Sequence, residues 1–399
     1  MKTKRIIFSE GLIMSGFKKI ACFLLIFCLT VSVFPPTVAQ AQANALPQVS
    51  AEAAVLIEAD SGNVVFAKNS DKQLPMASTT KIATAMTALA LASCDTVITV
   101  SPDAVGIEGS SVYLTAGEQL SLEQLLYALL LESANDAATA IAVGLSGSVS
   151  AFAEQMNEQA KSLGLNDTHF INPHGLDDEQ HYTTAYDLAL LTKKALENEH
   201  IRTIVGTRKT TIPHATEGAV RLLINHNKLL RLYEGCIGVK TGFTKRSGRC
   251  LVSAAERDGV TMIAVTLNAS NDWNDHSALL DYGFSLYESV LLCEREAYLF
   301  PLPVVGGNDG YVMLANDEAL RITLPKSHGE IVATVEVQRF AYAPVAEGET
   351  IGNVVFRCDT DRDGKQEIIA STALNACYGV LQKSPKKGFL DWIRSLFFH

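Results

Sequence analysis

Apolar residues recur with two different periods along this chain, and the change of period divides it. Two short apolar runs, 53–57 and 64–68, flank Asp60-Ser61-Gly62-Asn63, a pattern that predicts a β-hairpin. Residues 78–92, rich in Ala, Met and Leu, predict a helix. Ser121 with Gln124 forms a capping box ahead of 122–131, a helix apolar on nearly every side and so expected deep inside the fold. Residues 151–163 place Phe152, Met156 and Leu163 on one face of an amphipathic helix, and Thr184 with Asp187 predicts another capping box, opening a helix to about Leu196. From Gly238 the period shortens. Residues 238–243, 250–256 and 260–267 predict strands, and 275–291 a closing helix. Strands, a helical middle, strands and a last helix fit an antiparallel sheet with a helical insertion. Beyond residue 290, short strands alternate with turns at 306–310, 325–329 and 347–349, which predicts a small all-β domain over 291–381.

The chain's 399 residues, 48% of them hydrophobic and 19% charged, allow two or three domains and a substantial core. A formal net charge of −10 offers nucleic-acid phosphates no attraction, so nucleic-acid binding is not expected. The first 43 residues predict an export signal: Lys18 and Lys19 precede an apolar stretch of 15 residues, Pro35 and Pro36 break it, and small-x-small cleavage sites follow at Ala39-Gln40-Ala41 and Ala41-Gln42-Ala43. Six of the eight cysteines lie beyond that segment without CxxC spacing, so neither a metal site nor any cofactor is expected, and small buried side chains are the reading for most of them.

Three short motifs carry chemistry. Ser78-Thr79-Thr80-Lys81 sets a hydroxyl and an amine three residues apart, on one face of a helix. Serine is a weak nucleophile until a base takes its proton, and a lysine whose surroundings disfavour its charge can act as that base. Ser133-Ala134-Asn135 sets a small polar cluster directly after Leu129-Leu130-Leu131, and Lys240-Thr241-Gly242 lies inside an apolar strand. Lysine is rarely buried, and glycine in a strand permits close approach of another backbone. Each motif alone fits a helix cap, a helix end or an edge strand. Together they occur in the order SxxK, SxN, KTG, with gaps of about 50 and about 105 residues.

That ordered set resembles the low-molecular-weight D-alanyl-D-alanine carboxypeptidases, peptidase family S11. Residues 74–89, 108–138, 156–191, 238–255 and 279–284 all look like family signatures, covering about 51–290. The resemblance implies an α+β fold of the β-lactamase/transpeptidase type over residues 44–290. It also implies an enzyme that removes the terminal D-alanine from peptidoglycan stem peptides and is acylated by β-lactam antibiotics. By the same resemblance Ser78 is the nucleophile, Lys81 its base and Ser133 a proton relay to the leaving amine. Asn135 holds Lys81 and the substrate amide, Lys240 and Thr241 bind the terminal carboxylate, and Gly242 lets substrate approach. The backbone N–H groups of Ser78 and Phe243 form the oxyanion hole. Two departures stand out: Phe243 follows KTG where some relatives have His, and 268–279 contains no Arg of the kind that helps hold the carboxylate.

Three further segments bear on function. His174 and His181 flank a polar loop, and 172–176 looks like a structural loop under the active site. Residues 359–364 start like a calcium loop, but the twelfth position is Ala370 where a bidentate Glu is required, so a turn at Asp363-Gly364 is expected. In the tail, 382–399, Phe389, Leu390, Trp392, Ile393, Leu396 and Phe397 share one helical side behind Lys383, Lys386 and Lys387, which predicts a helix lying on an anionic membrane surface. Export together with this anchor predicts a peripheral position at the outer face of the cytoplasmic membrane. The rival readings are a β-lactamase or a DD-endopeptidase using the same serine, and a non-catalytic wall-binding protein, against which three intact motifs argue.

Overall fold

A computed structural model describes residues 46–360 and 364–384. Its central element is a five-stranded antiparallel sheet of β1 (Ala53–Glu58), β2 (Val64–Lys68), β3 (Cys236–Thr244), β4 (Gly248–Arg257) and β5 (Val260–Leu267), in the order β2-β1-β5-β4-β3. β1 is buried along its whole length, as its unbroken apolar run requires when both faces are covered. The buried carboxylate of Glu58 closes the first hairpin, accepting from the backbone of Asp60 (2.9 Å) and Ser61 (2.7 Å) and from the Ser61 hydroxyl (2.6 Å). β3 lies at the sheet edge, where a strand can pair with a guest backbone.

Between β2 and β3 the chain forms α1 (Lys81–Leu91), α2 (Leu122–Leu131), α3 (Asn135–Ser146), α4 (Val149–Ser162), α5 (Ala185–Leu196) and α6 (Glu199–Gly206). The capping box of α2 is reciprocal: Ser121 Oγ accepts from Gln124 N at 3.2 Å, and Gln124 Oε1 accepts from Ser121 N at 2.9 Å. Six leucines of α2 are among its seven buried residues, each worth about 1.5–3 kcal/mol relative to exposure. Helix α3 was not expected from the pattern. Its alanines are buried all round, so no amphipathic period announces it. The helix α6 and the hairpin Lys209–Pro213/Val220–Ile224 were likewise not expected. At α5 half of the capping box forms: Thr184 accepts from Asp187 N at 3.0 Å, but the Asp187 carboxylate turns outward to Asp167 N and the Thr168 hydroxyl.

The closing helix, α7, spans Asp272–Leu286 rather than 275–291. Its expected last turn is instead a strand, β6 (Tyr287–Cys293), paired with β9 (Leu320–Pro325) in the register Val290↔Ile322. A long-range partner overrides the local pattern here. The other strands, β7 (Phe300–Val305), β8 (Tyr311–Ala315), β10 (Val332–Val337), β11 (Ala341–Tyr342), β12 (Thr350–Cys358) and β13 (Glu367–Ala376), form a second sheet ordered β10-β12-β13-β8-β7-β11. It has its own core of Leu302, Val312, Leu314, Val354, Phe356 and Leu374. Of the calcium-like segment between the paired strands β12 and β13, Asp359 Oδ2 accepts from Gly364 N at 2.8 Å, and the expected turn at Asp363-Gly364 lies partly outside the described residues. The six cysteines among the described residues are unpaired. Cys250, Cys293 and Cys358 are buried, and Cys377 departs from the expectation by being exposed. The export signal and the apolar face of the tail lie outside the described residues.

Candidate active site

Ser78 sits in a single 3-10 turn, Ala77–Thr80, that leads directly into α1, so Lys81 opens the α-helix one turn beyond the serine. Lys81 is fully buried and its Nζ meets three oxygens: Ser78 Oγ at 2.9 Å, Asn135 Oδ1 at 2.7 Å and the His174 carbonyl at 2.6 Å. Burial, reinforced by the nearby charge of Lys240, holds its pKa well below the ordinary lysine value, while Asp136 pulls weakly the other way. Asn135 Oδ1 and the His174 carbonyl can only accept. In the neutral amine both remaining N–H groups therefore go to them, and the lone pair faces the Ser78 hydroxyl.

The loops are fixed around this pair. Asn135 opens α3, donates from Nδ2 to the Glu108 carbonyl at 2.6 Å, and donates from its backbone N–H to Ser110 O at 2.7 Å. Asp136 beside it accepts from the Ser111 hydroxyl at 2.6 Å and from Leu114 N at 3.0 Å, which holds the rim segment over α3. Ser133 is in the left-handed region at φ 61° and nearly buried. On the other side, His181 Nδ1 accepts from Ile171 N at 3.0 Å, so Nε2 carries the proton and donates to Thr80 Oγ1 at 2.8 Å, which in turn donates to the Ala77 carbonyl. Burial pushes His181 down to about 4 and His174 to about 3, so both are neutral above that range. Gly175, at φ 88°, lies so close that a Cβ there would stand 2.0 Å from Ala77 O. His181 thus braces the turn that carries Ser78, and the His174 carbonyl anchors Lys81.

β3 closes the other wall. Its side chains alternate, so Lys240 and Gly242 face one way and Thr241 and Phe243 the other. Lys240 is fully buried, its Nζ donates to Thr241 O at 2.9 Å, and burial pushes its pKa down to about 7 against the pull of Glu132. Gly242 is required by contact: a Cβ would lie 3.0 Å from Ser78 N and 3.1 Å from Met76 O. Thr244 Oγ1 donates to Asp177 Oδ1 at 2.8 Å, tying the loop under Lys81 to the strand.

Between these walls lies a cleft of about 360 Å³, lined by Ser78, Ser110, Ser133, Thr241, Gly242 and Phe243 together with His226, Lys228, Arg249, Asp272 and Trp273. Of the residues singled out from sequence, Ser78, Ser133, Thr241, Gly242 and Phe243 line it directly. Lys81 and Asn135 reach it through Ser78, and Lys240 is buried on the Gly242 face of the strand, outside the lining of the cleft. The pattern did not announce His226, Lys228, Arg249, Asp272 or Trp273, which stand outside the three motifs. Arg249 follows the hairpin after KTG by one residue, a placement that strand pairing could have flagged.

The model of the D-alanyl-D-alanine carboxypeptidase family, peptidase S11, matches residues 39–271. The chain is 31% identical over 390 residues to D-alanyl-D-alanine carboxypeptidase DacF of Bacillus subtilis, covering 94% of this chain and 97% of that one. Among solved structures it resembles penicillin binding protein 5 of Haemophilus influenzae with a TM-score of 0.63 and 29% identity, over 85% of this chain and 99% of the other. It also resembles the Streptomyces K15 DD-transpeptidase, with a TM-score of 0.58 and 32% identity, over 61% of this chain and all of that one.

Proposed function

The chain belongs to the D-alanyl-D-alanine carboxypeptidase family of serine peptidases, and from that premise we propose that it removes the terminal D-alanine of peptidoglycan stem peptides through an acyl-enzyme on Ser78. The observation that carries the reading is the Lys81 amine, 2.9 Å from Ser78 Oγ with its other donors anchored on Asn135 and the His174 carbonyl. Lys81 takes the Ser78 proton as Oγ attacks the carbonyl between the two D-alanines. The tetrahedral oxyanion forms against the backbone N–H groups of Ser78 and Phe243, donors worth about 3–4 kcal/mol each in comparable sites. The proton on Lys81 is relayed through the Ser133 hydroxyl to the departing amine as the C–N bond breaks, which leaves Lys81 neutral again. Water, deprotonated by Lys81, then cleaves the ester and restores the serine. A β-lactam offers the same serine a strained amide whose amine cannot diffuse away, so the ester persists.

Among the residues lining the cleft the carboxylate is Asp272, held by Arg249, and Asp177 is engaged by Thr244. No carboxylate there is placed to activate a second water, which favours a carboxypeptidase over a β-lactamase. We further propose export and attachment to the outer face of the cytoplasmic membrane by the tail, from the signal and amphipathic patterns in the sequence. Mass spectrometry after penicillin treatment tests the mechanism. The expected result is one penicilloyl adduct on the peptide bearing Ser78, absent in Ser78→Ala, with D-alanine release from a pentapeptide reduced roughly a thousandfold or more in that variant. An adduct on another residue, or undiminished release, would sink it.

A further inference from the structure

A carboxypeptidase must read the free carboxylate one residue beyond the bond it breaks, and 268–279 supplies no arginine for it. We propose that Arg249, delivered from strand β4 instead of from the start of α7, is the residue that receives that carboxylate; the assignment rests on the carboxypeptidase reading above.

The argument begins with register. Arg249 lies directly opposite Phe243 in the β3–β4 ladder, and Thr241 is opposite Leu251. Directly opposed residues share a face of the sheet, so Arg249 is on the Thr241 and Phe243 side and Lys240 on the other. Diagonal neighbours on one face are about 7–8 Å apart at the backbone, within reach of an arginine. Ser78, Thr241, Phe243 and Arg249 line one cleft, so a substrate laid along edge strand β3 with its carbonyl at Ser78 has its last carboxylate in that cleft, one residue or at most about 3.6 Å of chain further on.

The guanidinium is held in place before any substrate arrives. Its Nη2 donates to both oxygens of Asp272, at 2.8 and 2.9 Å, and its carbon stands 5.9 Å from the centre of the Trp273 ring. Both partners come from the first turn of α7. Asp272 is buried, whereas the arginine side chain is 44% exposed toward the cleft it lines. Both contacts to Asp272 run through one nitrogen, and a guanidinium has five N–H donors in a rigid plane, enough to engage a second carboxylate. Orientation by the first carboxylate removes most of the ordering cost of binding the second.

The other cations of the site fit the task less well. Lys81 is engaged with Ser78, and Lys240 is buried on the Gly242 face with its ammonium on the Thr241 carbonyl. His226 is paired with Glu132 at 3.3 Å, and burial favours its neutral form. Lys228 stands 5.8 Å from the centre of the Trp273 ring, but it is a point charge on a flexible stem without the planar fork that matches a carboxylate.

The test compares an N-acylated tripeptide ending in D-Ala-D-Ala with the same peptide bearing a C-terminal carboxamide, using the full-length wild type, Arg249→Gln and Arg249→Lys. The readout is the ratio of kcat/KM for acid over amide within each preparation, which does not depend on the fraction of folded enzyme. A charge-assisted contact of about 1.5–3 kcal/mol corresponds to roughly a ten- to hundredfold preference. Wild type should therefore favour the acid, Arg249→Gln should lose most of that preference, and Arg249→Lys should retain part of it. An unchanged ratio in Arg249→Gln overturns the assignment while leaving the carboxypeptidase reading intact. Wild type that releases no D-alanine from the acid overturns both.

Discussion

The two sheets of this molecule differ most in what they bury. The part built around the five-stranded sheet encloses Lys81, Lys240, Arg221, Asp136, Asp272, Asp275, His181 and His276, whereas among the described residues beyond 290 the buried polar residue is Asn316. Arg221 is answered by Glu118 at 2.6 Å and by three backbone carbonyls, and the His276 ring bridges Ser253 and Thr266. Lys240 is answered by one carbonyl. Buried charge costs free energy unless it is paired, so a poorly compensated cation marks a place where the fold gives up stability for something else. The core of the second sheet, of Leu, Val and Phe, holds no buried charge among the described residues.

Lys240→Met probes this contrast most strongly. It should lower D-alanine release by about a hundredfold or more, as loss of an electrostatic contributor does, yet raise stability by about 1–4 kcal/mol. The sign follows from linkage. The folded pKa is about 7, below the lysine value of 10.5, so the folded protein binds the proton less well than the unfolded chain. The penalty is complete below about pH 7 and fades as pH rises toward 10.5. Denaturation curves at pH 6 and pH 10 should show the variant's advantage shrinking at the higher pH; a destabilised variant at pH 6 would break the comparison.

The second sheet should answer in the opposite way. Phe356→Ala removes a buried ring from its core and should cost about 3–5 kcal/mol. Penicillin acylation of the folded protein should stay within about twofold of wild type. Stopped-flow acylation beside denaturant titration checks both, and a large loss of acylation rate would show that the two regions are coupled.

The remaining effect concerns acid. His174, His181 and His276 are held down to about 3, about 4 and about 3 against an ordinary 6.5, all chiefly by burial. All three lie in the first region. As pH falls below 6.5 the unfolded chain takes up protons that these rings refuse. Stability is thus lost between about pH 6.5 and 4, by up to about 1.4 kcal/mol per pH unit for each ring. Hydrogen exchange at pH 5 should open the helical part before the second sheet; the reverse order would contradict the assignment of buried neutral histidines.

Much of the fold was legible because local patterns and tertiary contacts agree. The hairpin of β1 and β2, the capped apolar helix α2 and the strands around Lys240 are fixed by alternation, caps and runs. Helix α3 was not legible because its alanines give no period, and β6 was not because its partner lies some 30 residues away in sequence, at Ile322 opposite Val290. Within the site, Ser78 with Lys81 and Thr241 with Gly242 could be singled out because chemistry needs them at short spacing.

The sequence by itself determined the family, the three motifs and their order, since spacing along one helix turn or one strand is a local matter. Only the tertiary structure decided what surrounds them. The His174 carbonyl completes the shell of Lys81, Gly242 meets the Ser78 turn, and Arg249 meets Asp272 because strand pairing and helix packing bring distant segments together. Burial also decides the charge state of each lysine, and burial belongs to the whole fold rather than to any short stretch of chain.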